Sequence, residues 1–309
     1  MDIPAIQPPK IKTGDTIAVI APAGPIESRD GLDRGILALE GMGFRVRLDE
    51  RIFQSYRYLA GDDGARAEEL MRSFEDPSIQ AIIALRGGYG CSRLIPLLVE
   101  KRLRNHPKIF MGFSDLTTLH LYLKNRFGWV TIHGPMAVSP SLADMTSDQA
   151  THLLSLWTDP EYRPILGFPQ MESLNPGKAE GVLTGGCLSV IAASIGTPYE
   201  IQTNGKILFL EDQGEPPYRL DRMITHLFLA DKLRSLAGVL LGDFVDCGST
   251  HGDYTAMDTL RDIFTSLSIP VLANFPAGHG ANNWALPFGV KVRMDSNART
   301  VEFLDPAVR

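Results

Sequence analysis

Through its first 132 residues this chain alternates short apolar runs with helix-like segments, and no other feature constrains its fold as strongly. Thr16–Ala21 reads as a strand, and Ser28 caps a helix ending around Gly41 or Gly43. A second strand spans Phe44–Leu48, followed by a charged helix from about Asp62 to Phe74. Ile79–Leu85 is mostly apolar and closes on Arg86-Gly87-Gly88-Tyr89-Gly90; Trp129–Ile132 gives a further strand. Strands alternating with helices predict an α/β fold whose parallel sheet is covered on both faces.

One corner in this series stands out. The apolar run Ile109-Phe110-Met111-Gly112-Phe113 meets Ser114, and apolar positions at 116, 119 and 123 follow at helical spacing. A buried strand feeding a helix puts the serine beside free backbone N–H groups and the positive end of the helix dipole. That is the setting of a nucleophile elbow. Leu116 stands where the G-x-S-x-G pattern has glycine. A serine that only caps the helix is the competing role.

The length, 309 residues, favours two domains over one. Between about Ser139 and Pro176 the chain turns irregular, with prolines at 140, 160, 164, 169 and 176 and one helix expected over Ser147–Leu156. We therefore expect an N-terminal domain over 1–140, a linker over 141–176 and a C-terminal α/β domain over 177–309. In the last, strands are expected at Ile207–Leu210, Gly238–Leu241 and Pro270–Ala273. The domain ends in a hairpin-like pair, 290–294 with 300–304.

A net charge of −6 with dispersed basic residues argues against a nucleic-acid partner. No apolar run reaches membrane-spanning length, and Met1-Asp2-Ile3-Pro4 lacks the basic-then-apolar pattern of a secretory signal. The expected location is the cytoplasm, with no membrane partner. Three widely spaced cysteines (Cys91, Cys187, Cys247) fit free thiols rather than a disulfide framework.

Ligands of open α/β sheets bind beyond the carboxyl ends of the strands. The Gly87-Gly88 turn could point backbone N–H groups into such a crevice, as an oxyanion hole needs, or be a plain turn. Glu211 and Asp212 follow an apolar strand directly, and either could orient a histidine; a solvated acidic turn is the alternative. His279 lies between Gly278 and Gly280 on a loop, with His133 as the rival base. His106, His120, His152, His226 and His251 look like surface or helix residues and are given no role. Cys187 could be a thiol activated at a helix N-terminus or a small buried residue. No zinc-type spacing is present, and no metal or cofactor is expected.

In order along the chain, several segments resemble the LD-carboxypeptidase family of serine peptidases. They are Gly14-Asp15-Thr16 through Ala21-Pro22-Ala23-Gly24, Arg86-Gly87-Gly88-Tyr89-Gly90, Gly112-Phe113-Ser114-Asp115 and His133-Gly134-Pro135. Leu210-Glu211-Asp212-Gln213-Gly214-Glu215 follows with Pro217–Arg222, then Gly278-His279-Gly280 and Leu286-Pro287-Phe288-Gly289.

The resemblance implies a triad of Ser114 as nucleophile, His279 as base and Glu211 as acid. It places the first on an N-terminal domain and the other two on a C-terminal one. It also implies backbone oxyanion donors from Asp115 and the Gly87-Gly88 turn, no metal, and a cytoplasmic homodimer. The expected activity is release of the terminal D-alanine from a murein tetrapeptide in peptidoglycan recycling. Arg86, the cation nearest the expected hole in sequence, and Tyr89 are candidates for substrate contact. In the microcin-resistance branch of the same family a peptidyl-nucleotide is cleaved instead; that needs an aromatic platform, for which no insertion is evident. A non-catalytic muropeptide-binding protein is a third reading. Cys187 stands where the family more usually has Asn.

Overall fold

The structure, a computed structural model, describes residues 3–249, 252 and 254–309; His251 lies outside the described residues. The strands run β1 Thr16–Ile20, β2 Arg45–Leu48, β3 Ala81–Ala84, β4 Ile109–Gly112, β5 Thr131–His133, β6 Ile165–Leu166 and β7 Glu172–Asn175. They continue with β8 Lys178–Cys187, β9 Lys206–Gln213, β10 Gly238–Val245, β11 Val271–Ala273, β12 Leu286–Phe288, β13 Lys291–Asp295 and β14 Thr300–Phe303. The chain divides into two compact α/β units.

The first unit comprises Met1–Tyr162 with two late returns, Trp284–Pro287 and Pro306–Arg309. Its six-stranded sheet has the order β12-β5-β4-β3-β1-β2, with β1 to β5 parallel. β1, β3 and β4 are nearly continuous Ile, Val, Ala and Phe because parallel strands covered on both faces meet no water. Helices start where the sequence supplies caps. Ser28 Oγ accepts the Asp30 N–H ahead of Arg29–Gly41, and Asp62 accepts the Ala65 N–H ahead of Asp63–Glu75. Thr146 and Gln149 form a reciprocal cap on Ser147–Thr158. Ala285, Ala307 and Val308 join the same core as Ile17, Val19 and Trp157, which ties both late returns into this unit.

The second unit comprises Arg163–Asn283 and Phe288–Asp305. Its eight-stranded sheet has the order β6-β14-β13-β8-β9-β10-β11-β7. β8 to β11 are parallel, and antiparallel strands flank them on both sides. β8 was not expected from the sequence. Its ten residues include Gly181, Gly185 and Gly186, which weaken the strand signal of the segment. A Cβ at 181 would sit 2.7 Å from Gly205 O, and one at 185 would collide with Phe209 O, so these glycines let β8 lie against β9. The expected linker 141–176 carries helix Ser147–Thr158 and strands β6 and β7, and the unit boundary falls within it, between Tyr162 and Arg163.

No helix among the described residues is long and apolar enough to cross a membrane.

Candidate functional site

Ser114 stands immediately after Phe113, at the C-terminal end of β4, and begins a short 3-10 turn that runs into helix Thr117–Phe127. Its φ is +62°, in the left-handed region that residues with a Cβ occupy only at a cost. Its side chain does not cap the helix: the turn's cap is Phe113, the helix's cap is Leu116, and neither start has a side-chain capping bond. Steric facts of the corner explain its neighbours. A Cβ at Gly112 would lie 2.8 Å from Leu116 Cγ, so the glycine before the serine accommodates the leucine after it.

The Gly87-Gly88 turn lies directly against Ser114. A Cβ at 87 would come within 2.8 Å of Ser114 Cβ and 2.9 Å of its Oγ. Gly88 has φ +109° and Gly90 +141°. Several bonds hold this turn. Gly24 N–H donates to Gly87 O at 3.0 Å, and the fully buried Arg66 guanidinium donates to Gly90 O at 3.0 Å.

Asp115 is buried, with Oδ2 accepting the Cys91 N–H at 2.8 Å. Burial pushes the Asp115 carboxyl up, against the pull of its backbone bonds to Cys91 and Gly90 and the charge of Arg66. The residue after the serine therefore ties the elbow to the glycine turn through its side chain, while its backbone N–H stays at the helix start. His120 adds a second brace, its Nε2 bonded to Gly112 O at 2.8 Å, and burial drives its pKa down to about 4.

Arg86 is engaged with Pro25 O and in an ion pair with the exposed Glu27. Tyr89 is exposed, with its ring 5.9 Å from that of Tyr58. His133 is fully buried at the end of β5, edge-on to Phe113.

In the second unit, β9 delivers Glu211 and Asp212 to opposite sides, as strand alternation requires. Glu211 is completely buried, and its Oε2 meets His279 Nδ1 at 2.6 Å. The His279 backbone N–H also donates to it. Asp212 points instead to the start of helix Leu188–Ser194, accepting the Ser189 N–H at 2.7 Å. The carboxylate on the imidazole is thus Glu211.

Burial drives Glu211 upward, opposed chiefly by its bond to His279. For His279, burial works against the imidazolium. The Glu211 bond and charge, with Asp212 and Asp243, outweigh it and raise the pKa above the ordinary histidine value. Gly278 permits the approach: at φ +125°, a Cβ there would stand 2.7 Å from Glu211 Oε2.

Cys187 ends β8 opposite Glu211, with Sγ 3.2 Å from Ser189 Oγ. Burial, and then the charges of Glu211 and Asp212, push its thiol well up, so it behaves as the small buried residue rather than an activated thiol. Among the described residues no group of three or more His, Cys, Asp or Glu side chains is arranged to hold a metal ion.

The residue signals marked Ser114, the glycine turn, Glu211 or Asp212, and His279 with His133 as its rival, and the family resemblance chose Glu211 and His279. They missed the supports, namely Asp115 through its side chain, His120 and Arg66, which look like ordinary helix residues in a linear reading.

A serine on a left-handed strand-to-helix corner, with a histidine held by a buried glutamate elsewhere in the chain, belongs to the vocabulary of the serine hydrolases. The pattern of the LD-carboxypeptidase N-terminal domain matches residues 17–134, and that of the C-terminal domain matches residues 180–294. A probable murein peptide carboxypeptidase of Bacillus subtilis (strain 168) is 36% identical over 95% of this chain and 93% of its own. The crystal structure of muramoyltetrapeptide carboxypeptidase from Oxalobacter formigenes superposes with a TM-score of 0.81 at 31% identity, covering 93% and 97% of the two chains. The Microcin C7 self-immunity protein MccF, in complex with aspartyl sulfamoyl adenosine, shares the fold with a TM-score of 0.91 at 22% identity, covering 98% and 100%. The chain belongs to the LD-carboxypeptidase family and is a hydrolase of the serine peptidase type.

Proposed function

We propose that this protein hydrolyses a peptide-type amide bond with Ser114 as nucleophile, His279 as general base and Glu211 as the residue that orients the imidazole. The observation carrying this reading is the buried Glu211–His279 bond of 2.6 Å, which leaves Nε2 as the ring nitrogen for proton transfer. A serine hydroxyl is a poor nucleophile at neutral pH, so Nε2 takes the Ser114 proton as Oγ attacks the carbonyl carbon. Glu211 fixes the tautomer and stabilises the imidazolium. The backbone N–H of Asp115 and one from the Gly87-Gly88 turn donate to the tetrahedral oxyanion, a contribution commonly worth about 3 kcal/mol per donor. The imidazolium then protonates the departing amine nitrogen, and water, deprotonated by the same histidine, releases the acyl group. The reading requires Nε2 to come within about 3 Å of Ser114 Oγ in the reacting state.

For the substrate we propose a murein tetrapeptide that loses its terminal D-alanine, in a cytoplasmic enzyme working as a homodimer without a metal. The support is sequence identity, 36% to the murein peptide carboxypeptidase and 31% to the muramoyltetrapeptide enzyme. A second reading, cleavage of a peptidyl-nucleotide amide, is supported by the backbone, which superposes better on MccF, 0.91 against 0.81, and over more of the chain. The exposed Tyr58–Tyr89 pair supplies an aromatic surface in the first unit without any insertion. Side-by-side incubation with a defined murein tetrapeptide and with an aminoacyl sulfamoyl adenosine, read by mass, separates the two. Release of D-alanine alone supports the first reading; release of the sulfamoyl nucleoside alone overturns it in favour of the second.

A further inference from the structure

The loop that carries His279 is held from a side the proposed triad does not use. β9 and β10 pair in parallel, but their register slips: Leu241 pairs with Leu210 and Phe244 with Asp212, so Gly242 and Asp243 together oppose the single residue Glu211. Such a bulge re-aims a side chain, and bulges concentrate next to active sites.

Here it turns Asp243 to the histidine loop, which the residue grips at both ends. The Asp243 backbone N–H donates to Ala277 O at 3.0 Å, and its carboxylate accepts the Gly280 N–H. The fit leaves no slack. A Cβ at Gly242 would collide with Ala277 O, and one at Gly280 would collide with Asp243 Oδ2. On the opposite flank Gly278 is pressed against Glu211, and its N–H donates to Asn283 Oδ1 at 3.1 Å. His279 therefore sits at the tip of a segment clasped between two carboxylates.

We propose that Asp243 is a positioning residue for the reaction: its carboxylate fixes the His279 loop and supplies a second negative charge that stabilises the imidazolium formed when Ser114 loses its proton. The inference rests on the proposed role of His279 as base. The titratable groups around the clasp are Glu211 and Asp212 on β9, His279 on its loop, and Asp246 and Cys247 beyond the end of β10. The last two share with Asp243 a cavity of about 400 Å³ that gives the carboxyl a route to solvent. Burial and the Glu211 charge push the Asp243 carboxyl up to about 6, so the clasp loses its charge in the mildly acidic range.

Two substitutions separate grip from charge. Asp243→Asn keeps an oxygen for the Gly280 N–H and removes the charge; Asp243→Ala removes both. In the full-length protein, the His279 ring titration is followed by NMR and the pH profile of kcat/KM is measured with whichever substrate is turned over. With Asp243→Asn the His279 midpoint should fall by about half a unit or more, and plateau kcat should fall by about threefold or more, because the imidazolium loses the same stabilisation. With Asp243→Ala kcat should fall about tenfold or more with KM nearly unchanged, the signature of a misplaced base. An unmoved His279 midpoint in Asp243→Asn, or a wild-type kcat in Asp243→Ala, overturns the proposal. Failure of the triad itself would show differently. His279→Ala would stay active, while the His279 titration of wild type against Asp243→Asn would still report on the clasp without any need for turnover.

Discussion

Replacing Ser114 with glycine should make the protein more stable than the wild type, and replacing it with alanine should not. At φ +62° a residue with a Cβ is strained by about 1–2 kcal/mol. Glycine removes that strain but surrenders roughly 0.5–1 kcal/mol to the greater freedom of the unfolded chain. The net expectation for Ser114→Gly is a gain of up to about 1.5 kcal/mol, centred near about 0.75 kcal/mol. Ser114→Ala keeps the Cβ and the strain, so it should fall within about 0.5 kcal/mol of wild type.

A helix-capping serine predicts the opposite sign for glycine, a loss of a few tenths of a kcal/mol, with alanine costing about 1 kcal/mol. Urea unfolding followed by tryptophan fluorescence is the assay. All three tryptophans, Trp129, Trp157 and Trp284, belong to the first unit, so the signal reports on the unit that holds Ser114. The glycine variant should raise the midpoint with an unchanged slope. A glycine variant less stable than wild type would refute the strained-elbow argument.

Three further outcomes follow from the same geometry. Because His279 must be neutral to accept a proton and its pKa is raised, kcat/KM should climb with pH through a midpoint above the ordinary histidine value of about 6.5; a midpoint below it would contradict the Glu211 pairing. Asp115→Ala leaves the buried Cys91 N–H without its acceptor and should cost about 1–3 kcal/mol in the same urea assay, with Asp115→Asn recovering part of it. Gly278→Ala, which drives a Cβ towards Glu211 Oε2 at a left-handed φ, should lower kcat by about tenfold or more, read by steady-state kinetics at saturating substrate.

The alternation of strand and helix was legible because parallel strands buried on both faces must be continuously apolar, and β1, β3 and β4 are. Ser114 was legible as a corner, since the apolar period changes there from that of a strand to that of a helix. Its backbone conformation was not, because a serine that caps and a serine that is strained look alike in one dimension. β8 stayed hidden for a steric reason: its glycines answer to the backbone of β9, a neighbour that linear reading does not place. The same holds for the supports. Asp115, His120 and Asp243 act through partners 24, 8 and 34 or more positions away, and the bulge that turns Asp243 exists only in the register between two strands.

The central claim is that the Ser114 hydroxyl forms the new bond to the substrate carbonyl. Amine release by purified Ser114→Ala, set against wild type at equal concentration and matched tryptophan-monitored stability, tests it most directly. Release should fall by about 10⁴-fold or more in a protein that remains folded, since members of a catalytic triad act as a unit. Turnover by that folded variant at a rate near wild type would contradict it.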